Sequence, residues 1–329
     1  MKIPILDMHC DLLSYLARIP NANAYSKDDI ACAIPFLQEG NVRAQILAIY
    51  TDVKPESMDL AKRQAEIFSD LLVKSGEDVA YLDSGFVESW EQQKRIGIKA
   101  SVENAAGIGN EEASWQEIYS QFDFILEKVK SLAYISLTHH TENRFGGGNY
   151  TEGIGLKDDG KKLLDYMAGK NIPVDLSHTS DLLAEGILNH IDSNSLGIPV
   201  IASHSNFREL WNHPRNLTDE FAKEIIHREG IIGVNFLRAF LDPEVPERLF
   251  DHIFHGFQIG GEKSICFGAD YFYTKDFKDP NRFPFYFPLV ENAGKYPSLL
   301  KSLEDKLSAE NLEGLAFRNA LEFYRKLQR

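Results

Sequence analysis

Short apolar, β-branched runs flanked by turn residues recur at 3–9, 42–50, 97–103, 132–139, 172–178, 198–204, 230–236 and 264–270. Their length and composition are those of buried strands. The stretches between them have helical spacing. After Pro55-Glu56, residues Leu60, Gln64, Ile67, Phe68, Leu71 and Leu72 share one helical stripe. Thr218 reads as an N-cap with Asp219 and Glu220 in the first turn, and Ser308 opens a last helix through Leu312, Leu315, Ala316, Ala320, Phe323 and Leu327. Eight alternations of strand and helix predict the α/β class and a parallel (β/α)8 TIM barrel. Such a barrel typically takes roughly 250 residues. The 329 residues present leave room for long loops and C-terminal helices. With no Pro/Gly/Ser linker, residues 1–329 read as one barrel domain.

A hydrophobic fraction of 43% with 26% charged residues is that of an ordinary globular protein. The 35 Lys and Arg against 49 Asp and Glu leave a net charge of −14, which repels nucleic acid and anionic membranes. Neither is expected as a partner. Cys10, Cys32 and Cys266 have no C-x-x-C spacing, so a disulfide framework and a cysteine zinc site are both disfavoured and a reducing cytoplasm is expected. Asp7, His9 and Asp11 interrupt the first apolar run before it could serve as an export signal, and no apolar stretch is long enough to span a membrane.

The strand ends change the picture. In (β/α)8 barrels the reactive groups stand where strands run into the βα loops, and here those ends carry His9 and Asp11, Glu103, His139 and His140, His178, His204 and Asp270. Alternate residues of a strand share a face, so His9 and Asp11 can chelate one ion while Cys10 points away. Glu103 has two oxygens and can bridge to a second ion, to which His178 and His204 supply neutral nitrogen. Three imidazoles and two carboxylates make a zinc-type donor set, and a pair of ions about 3.5–4 Å apart would activate a bridging water. Alternation predicts that His140 faces away from this site. His190, His227, His252 and His255 lie in helical stretches and are read as structural, Cys10 and Cys266 as buried hydrophobes, and Gly146-Gly147-Gly148 as a flexible bend.

The strand-one pattern D-x-H-x-D, the segments Leu137-Thr138-His139 and Asp175-Leu176-Ser177-His178, and above all Pro199-Val200-Ile201-Ala202-Ser203-His204-Ser205 followed by His213-Pro214-Arg215-Asn216-Leu217-Thr218-Asp219 resemble the membrane (renal) dipeptidase family. These are zinc dipeptidases of the amidohydrolase-type barrels. The resemblance covers nearly the whole chain. It implies two zinc ions held by His9 and Asp11 on one side and His178 and His204 on the other, with Glu103 between. It further implies that His139 contacts the scissile carbonyl, Arg215 grips the dipeptide's free carboxylate and Asp270 is the acid/base residue. A homodimer is also implied.

Three departures from the family pattern stand out. Asn104 follows Glu103 where many members have Gly, Phe272 replaces a second Asp after Asp270, and Leu237 stands where some members carry Tyr. The loop 271–295 is dense in aromatic residues; it reads as a substrate wall with Tyr271 and Tyr273 lining the pocket, as a subunit contact, or as local packing. Alternatives to a dipeptidase are a deacylase or lactonase with a carboxylated Lys99 as bridge, a sugar isomerase on the same barrel, and a catalytically impaired relative.

Overall fold

The computed structural model describes residues 3–327. Eight parallel strands form the barrel wall: β1 (Ile5–Cys10), β2 (Val42–Tyr50), β4 (Ile96–Glu103), β5 (Leu132–Ser136), β6 (Val174–Asp175), β7 (Val200–Ile201), β8 (Ile232–Val234) and β9 (Ile265–Phe267), in the order β7-β6-β5-β4-β2-β1-β9-β8. The ring closes between β7 and β8 through the parallel bridge Ala202–Ile232. Every residue of β1 and β4 is buried, as expected for parallel strands covered on both faces. A short strand that the hydrophobic pattern does not single out, β3 (Val79–Tyr81), pairs with the first residues of β4 outside the main order.

Several strands are shorter than their apolar runs. β5 stops at Ser136, three residues before His139, and β6 and β7 have two residues each. The polar residues closing these runs therefore lie on loops above the wall. Helix signals fare better. The helix Ser57–Lys74 buries Ala61, Gln64, Ala65, Phe68 and Leu71, and the Gln64 amide closes on both backbone groups of Tyr50, at 3.0 and 2.7 Å, pinning the end of β2. Thr218 and Ser308 cap their helices as expected. The last helix is interrupted by a π-turn over Gly314–Arg318, which packs with Asn319–Leu327 against β1 and β9.

Two buried aspartates tie the barrel together beneath the strand ends. Asp7 accepts from the backbone N–H of His9 and Ala269 and from the Tyr296 hydroxyl, joining β1, β9 and a C-terminal helix. Asp175 accepts from the N–H groups of Ser177 and Ser203 and from the hydroxyls of Ser136 and Ser203, joining β5, β6 and β7. Each one fixes the backbone next to a candidate ligand histidine.

Gly146-Gly147-Gly148 is not the flexible bend expected. The segment is buried, and an added Cβ would come within 2.3 Å of Ile154 O at Gly147 and 2.2 Å of His139 O at Gly148. The glycines allow this chain to lie directly against the loop carrying His139.

Candidate active site

The convergence of strand ends is centred on Glu103. Its Oε2 lies 3.4 Å from His9 Nε2, while Oε1 lies 2.8 Å from His178 Nε2 and 3.4 Å from His204 Nε2. One carboxylate thus presents each oxygen to a different set of imidazoles, which is the arrangement a bridging ligand requires. Asp11 Oδ2 and Asp270 Oδ1 complete the His9 side at 3.8 and 3.7 Å. The structure therefore brings together all five residues expected to bind metal, with Asp270 beside them.

The imidazoles are held from behind. His9 Nδ1 is 2.7 Å from the Tyr134 hydroxyl, which also donates to Met8 O, and His204 Nδ1 is 2.6 Å from Ser203 Oγ. Such outer contacts orient a ring and set its tautomer so that the other nitrogen faces a metal. That facing nitrogen of His9, Nε2, is buried without a hydrogen-bond partner among the described residues, as is Asp11 Oδ1. Buried polar atoms are seldom left so. Burial also raises the pKa of Glu103 and, helped by the charges of Glu103 and Asp11, pushes Asp270 up to about 7. Close carboxylates, orphaned donor atoms and pre-oriented imidazoles together fit a pair of divalent cations.

Asp270 is in a left-handed conformation at φ 63°, with Oδ2 accepting from Asn235 Nδ2 at 2.8 Å. Asn104 likewise has φ 72°. Asparagine is among the few non-glycine residues that take this region readily, which accounts for its standing where many members of the resembling family have Gly. Its side chain caps the following turn at Ala106 N and ties to Thr51 O and Asn143.

A cleft of about 420 Å³ opens above the cluster and is lined by Asp11, Glu103, His139, His178 and Asp270 at its base. His139 Nε2 is 3.8 Å from Glu103 Oε1, and burial with the neighbouring His140 and Arg215 holds its pKa well below the usual histidine value. His140 is a correction to the alternation argument. Lying beyond the end of β5, it turns into the cleft, tilted against His139 at 3.9 Å, stacked on Tyr150 at 4.6 Å and bonded to Asn149. His139, His140 and His178 also bring nitrogens within 4.8 Å of one another.

Arg215 is 3% exposed and does not line the open cleft. Its guanidinium donates to Ser205 Oγ and His204 O, packs 5.5 Å from the ring centre of the cleft residue Phe240, and leaves Nε buried without a partner among the described residues. The two tyrosines expected in the wall separate. Tyr273 lines the cleft and stacks on Tyr15 at 5.3 Å. Tyr271 does not reach it: the ring is 1% exposed, and the hydroxyl donates to Val290 O inside the loop's own core. Phe272 and Leu237, the two departures on this wall, both face the cleft.

Lys99 is also displaced from its expected role. It precedes Glu103 by four residues, about 13 Å along a strand, and its ammonium bonds Ser131 and lies over Tyr81 near the start of β5. A carboxylated Lys99 cannot bridge ions at Glu103. Among the remaining histidines, His190 and His255 pair with Asp165 and Asp219, and His252 joins Phe207 N to Leu241 O, so all three are structural. The three cysteines are free and buried. Sequence reasoning assigned no role to Tyr134, Asp7 or Asp175; the repeated placement of an Asp two or three residues before a strand-end His is the signal that was available for the two aspartates.

Known proteins share this architecture. The chain is 25% identical over 279 residues to an uncharacterized dipeptidase of Schizosaccharomyces pombe, covering 80% of this chain and 62% of that protein. It is 28% identical over 228 residues to the dipeptidase VerJ of Clonostachys rogersoniana, covering 67% and 55%. It thus matches less than two thirds of the length of either relative. The crystal structure of a metallo peptidase from Rhodobacter sphaeroides, liganded with a phosphinate mimic of the dipeptide L-Ala-D-Ala, has the same fold, with a TM-score of 0.82, 18% identity and 99% of both chains covered. The family model for membrane dipeptidases, peptidase family M19, matches residues 1–329, and the chain belongs to that family of peptide-bond hydrolases.

Proposed function

We propose that this chain is a zinc-dependent dipeptidase, with His9 and Asp11 holding one ion, His178 and His204 the other, and Glu103 bridging. The observation that carries the reading is the split of the Glu103 oxygens between His9 and the His178/His204 pair, at 2.8 to 3.4 Å. Bound there, two divalent cations would supply Lewis-acid polarisation of the scissile carbonyl and a water acidic enough to act near neutral pH. The mixed imidazole and carboxylate donors suit zinc.

The chain's own groups do the rest. His139, kept neutral, directs Nε2 at the base of the cleft and donates to the oxyanion of the tetrahedral intermediate. Asp270, anchored through one oxygen by Asn235, keeps the other free to take a proton from the attacking water and pass it to the leaving nitrogen. Arg215 carries a buried positive charge with, among the described residues, no carboxylate within ion-pairing distance, a costly state that a substrate carboxylate would relieve. Tyr273, with Phe272 and Leu237, forms the wall against which side chains rest. Free, buried cysteines support a reducing, cytoplasmic setting.

The test is hydrolysis of a dipeptide panel by the zinc-loaded chain before and after chelation. The reading expects turnover that is lost on stripping and restored by zinc. Undiminished turnover by stripped protein would sink it.

A further inference from the structure

The charges around the cleft are unevenly matched. Arg18 is paired with Asp52 at 3.1 Å, and Asp52 also takes the Tyr50 hydroxyl. Among the described residues, the other arginine on the cleft surface, Arg282, has no carboxylate within 4 Å and no side-chain hydrogen bond. It stands at the end of the 3-10 turn Pro280–Arg282. Its guanidinium carbon lies 4.4 Å from the ring centre of Phe277 and 5.3 Å from that of Phe285. With no other partner among the described residues, its N–H donors are free to grip a carboxylate with two parallel bonds.

Position matters as much as charge. Arg282 packs on Phe285, whose carbonyl accepts from Arg238 N beside the cleft residue Leu237, and Arg215 packs on the cleft residue Phe240 three positions further on, so the two cations border the same end of the cleft. A dipeptide with neutral side chains has one carboxylate, and Arg215 is the receptor proposed for it. A second, unpaired guanidinium at the same end matches a second carboxylate.

We infer that the preferred substrates are dipeptides with an acidic C-terminal side chain, Asp or Glu, and that Arg282 receives this side-chain carboxylate. The inference rests on the dipeptidase reading and narrows it to a substrate class. Arg282 is then a specificity residue, remote from the reacting bond.

The experiment compares kcat/KM of the zinc-loaded chain for Ala-Glu against Ala-Gln and Ala-Asp against Ala-Asn, with both epimers of the C-terminal residue, in wild type, Arg282→Gln and Arg282→Glu. The ratio within each protein is the readout, so a general change in activity does not enter it. For a partly exposed ion pair the acidic substrate should lead by about five-fold in wild type. The ratio should fall to about one in Arg282→Gln and invert in Arg282→Glu. Equal use of acid and amide by wild type, or a preference that survives Arg282→Gln, overturns this inference while leaving the dipeptidase reading standing. Failure to hydrolyse any member of the panel overturns both.

Discussion

Lys99→Met is a perturbation whose sign separates a structural lysine from a catalytic one. The side chain is 8% exposed, bonds Ser131 Oγ and has no carboxylate partner among the described residues. Burial pulls its pKa from 10.5 down to about 8, with Asp83 opposing weakly. That gap corresponds to about 3 kcal/mol of cost for the charged form at neutral pH. Methionine removes the charge and keeps the length, at the loss of one hydrogen bond worth about 1–2 kcal/mol. The Ser131 hydroxyl retains Tyr81. Lys99→Met should therefore stabilise the fold by about 1–2 kcal/mol at pH 7.

The pH dependence follows from the same shift. Between pH 8 and 10.5 the unfolded chain holds more protons on Lys99 than the folded one, so wild-type stability gains from this group as pH rises through that window and bears the full cost below it. The variant lacks that gain, and its advantage should shrink toward pH 10. Urea denaturation of both proteins at pH 7 and pH 9.5 measures this. A destabilised variant at pH 7, or an advantage independent of pH, would refute the burial argument. Loss of bound metal in the variant would return Lys99 to the active site and revive the carboxylated-lysine alternative.

Tyr134→Phe deletes the hydroxyl behind His9 and should weaken metal affinity about 10–100-fold, read by competition with a chelating dye while circular dichroism stays unchanged. Tyr271→Ala should cost about 3–5 kcal/mol of stability, as buried aromatic truncations do, whereas Tyr273→Ala should leave stability nearly intact and change relative rates across a dipeptide panel; the reverse pattern would mean the two tyrosines have been assigned to the wrong sides of the loop. Arg215→Ala should raise KM for dipeptides with a free C-terminus far more than for their amides, and equal losses on both would contradict its proposed role.

Much of this site is written in the strand ends. His9, Asp11, Glu103, His178, His204 and Asp270 are legible because each apolar run closes at one rim, within its strand for His9 and Glu103 and one to three residues beyond the strand for Asp11, His178, His204 and Asp270. The misreadings share a cause. Two-residue alternation holds only inside a strand; β5 ends at Ser136, so it has no authority over His140, which turns inward on a loop. Alternation also ignores depth, placing Lys99 on the face of Glu103 while saying nothing of the strand rise between them. Tyr271 and Tyr273 look equivalent as a pattern, yet the bridge from Cys10 to Tyr271 commits the first to the loop's core and leaves the second at the cleft. Tyr134 carries no signal in a single chain, because its value lies in a contact 125 residues away in sequence.

The central claim is that Glu103 bridges two cations that together make the chain a peptidase. It is tested most directly by titrating metal-stripped protein with zinc and following dipeptide hydrolysis against the number of equivalents added. Activity should saturate at two equivalents per chain. Saturation at one equivalent, or full activity with none, would contradict the account.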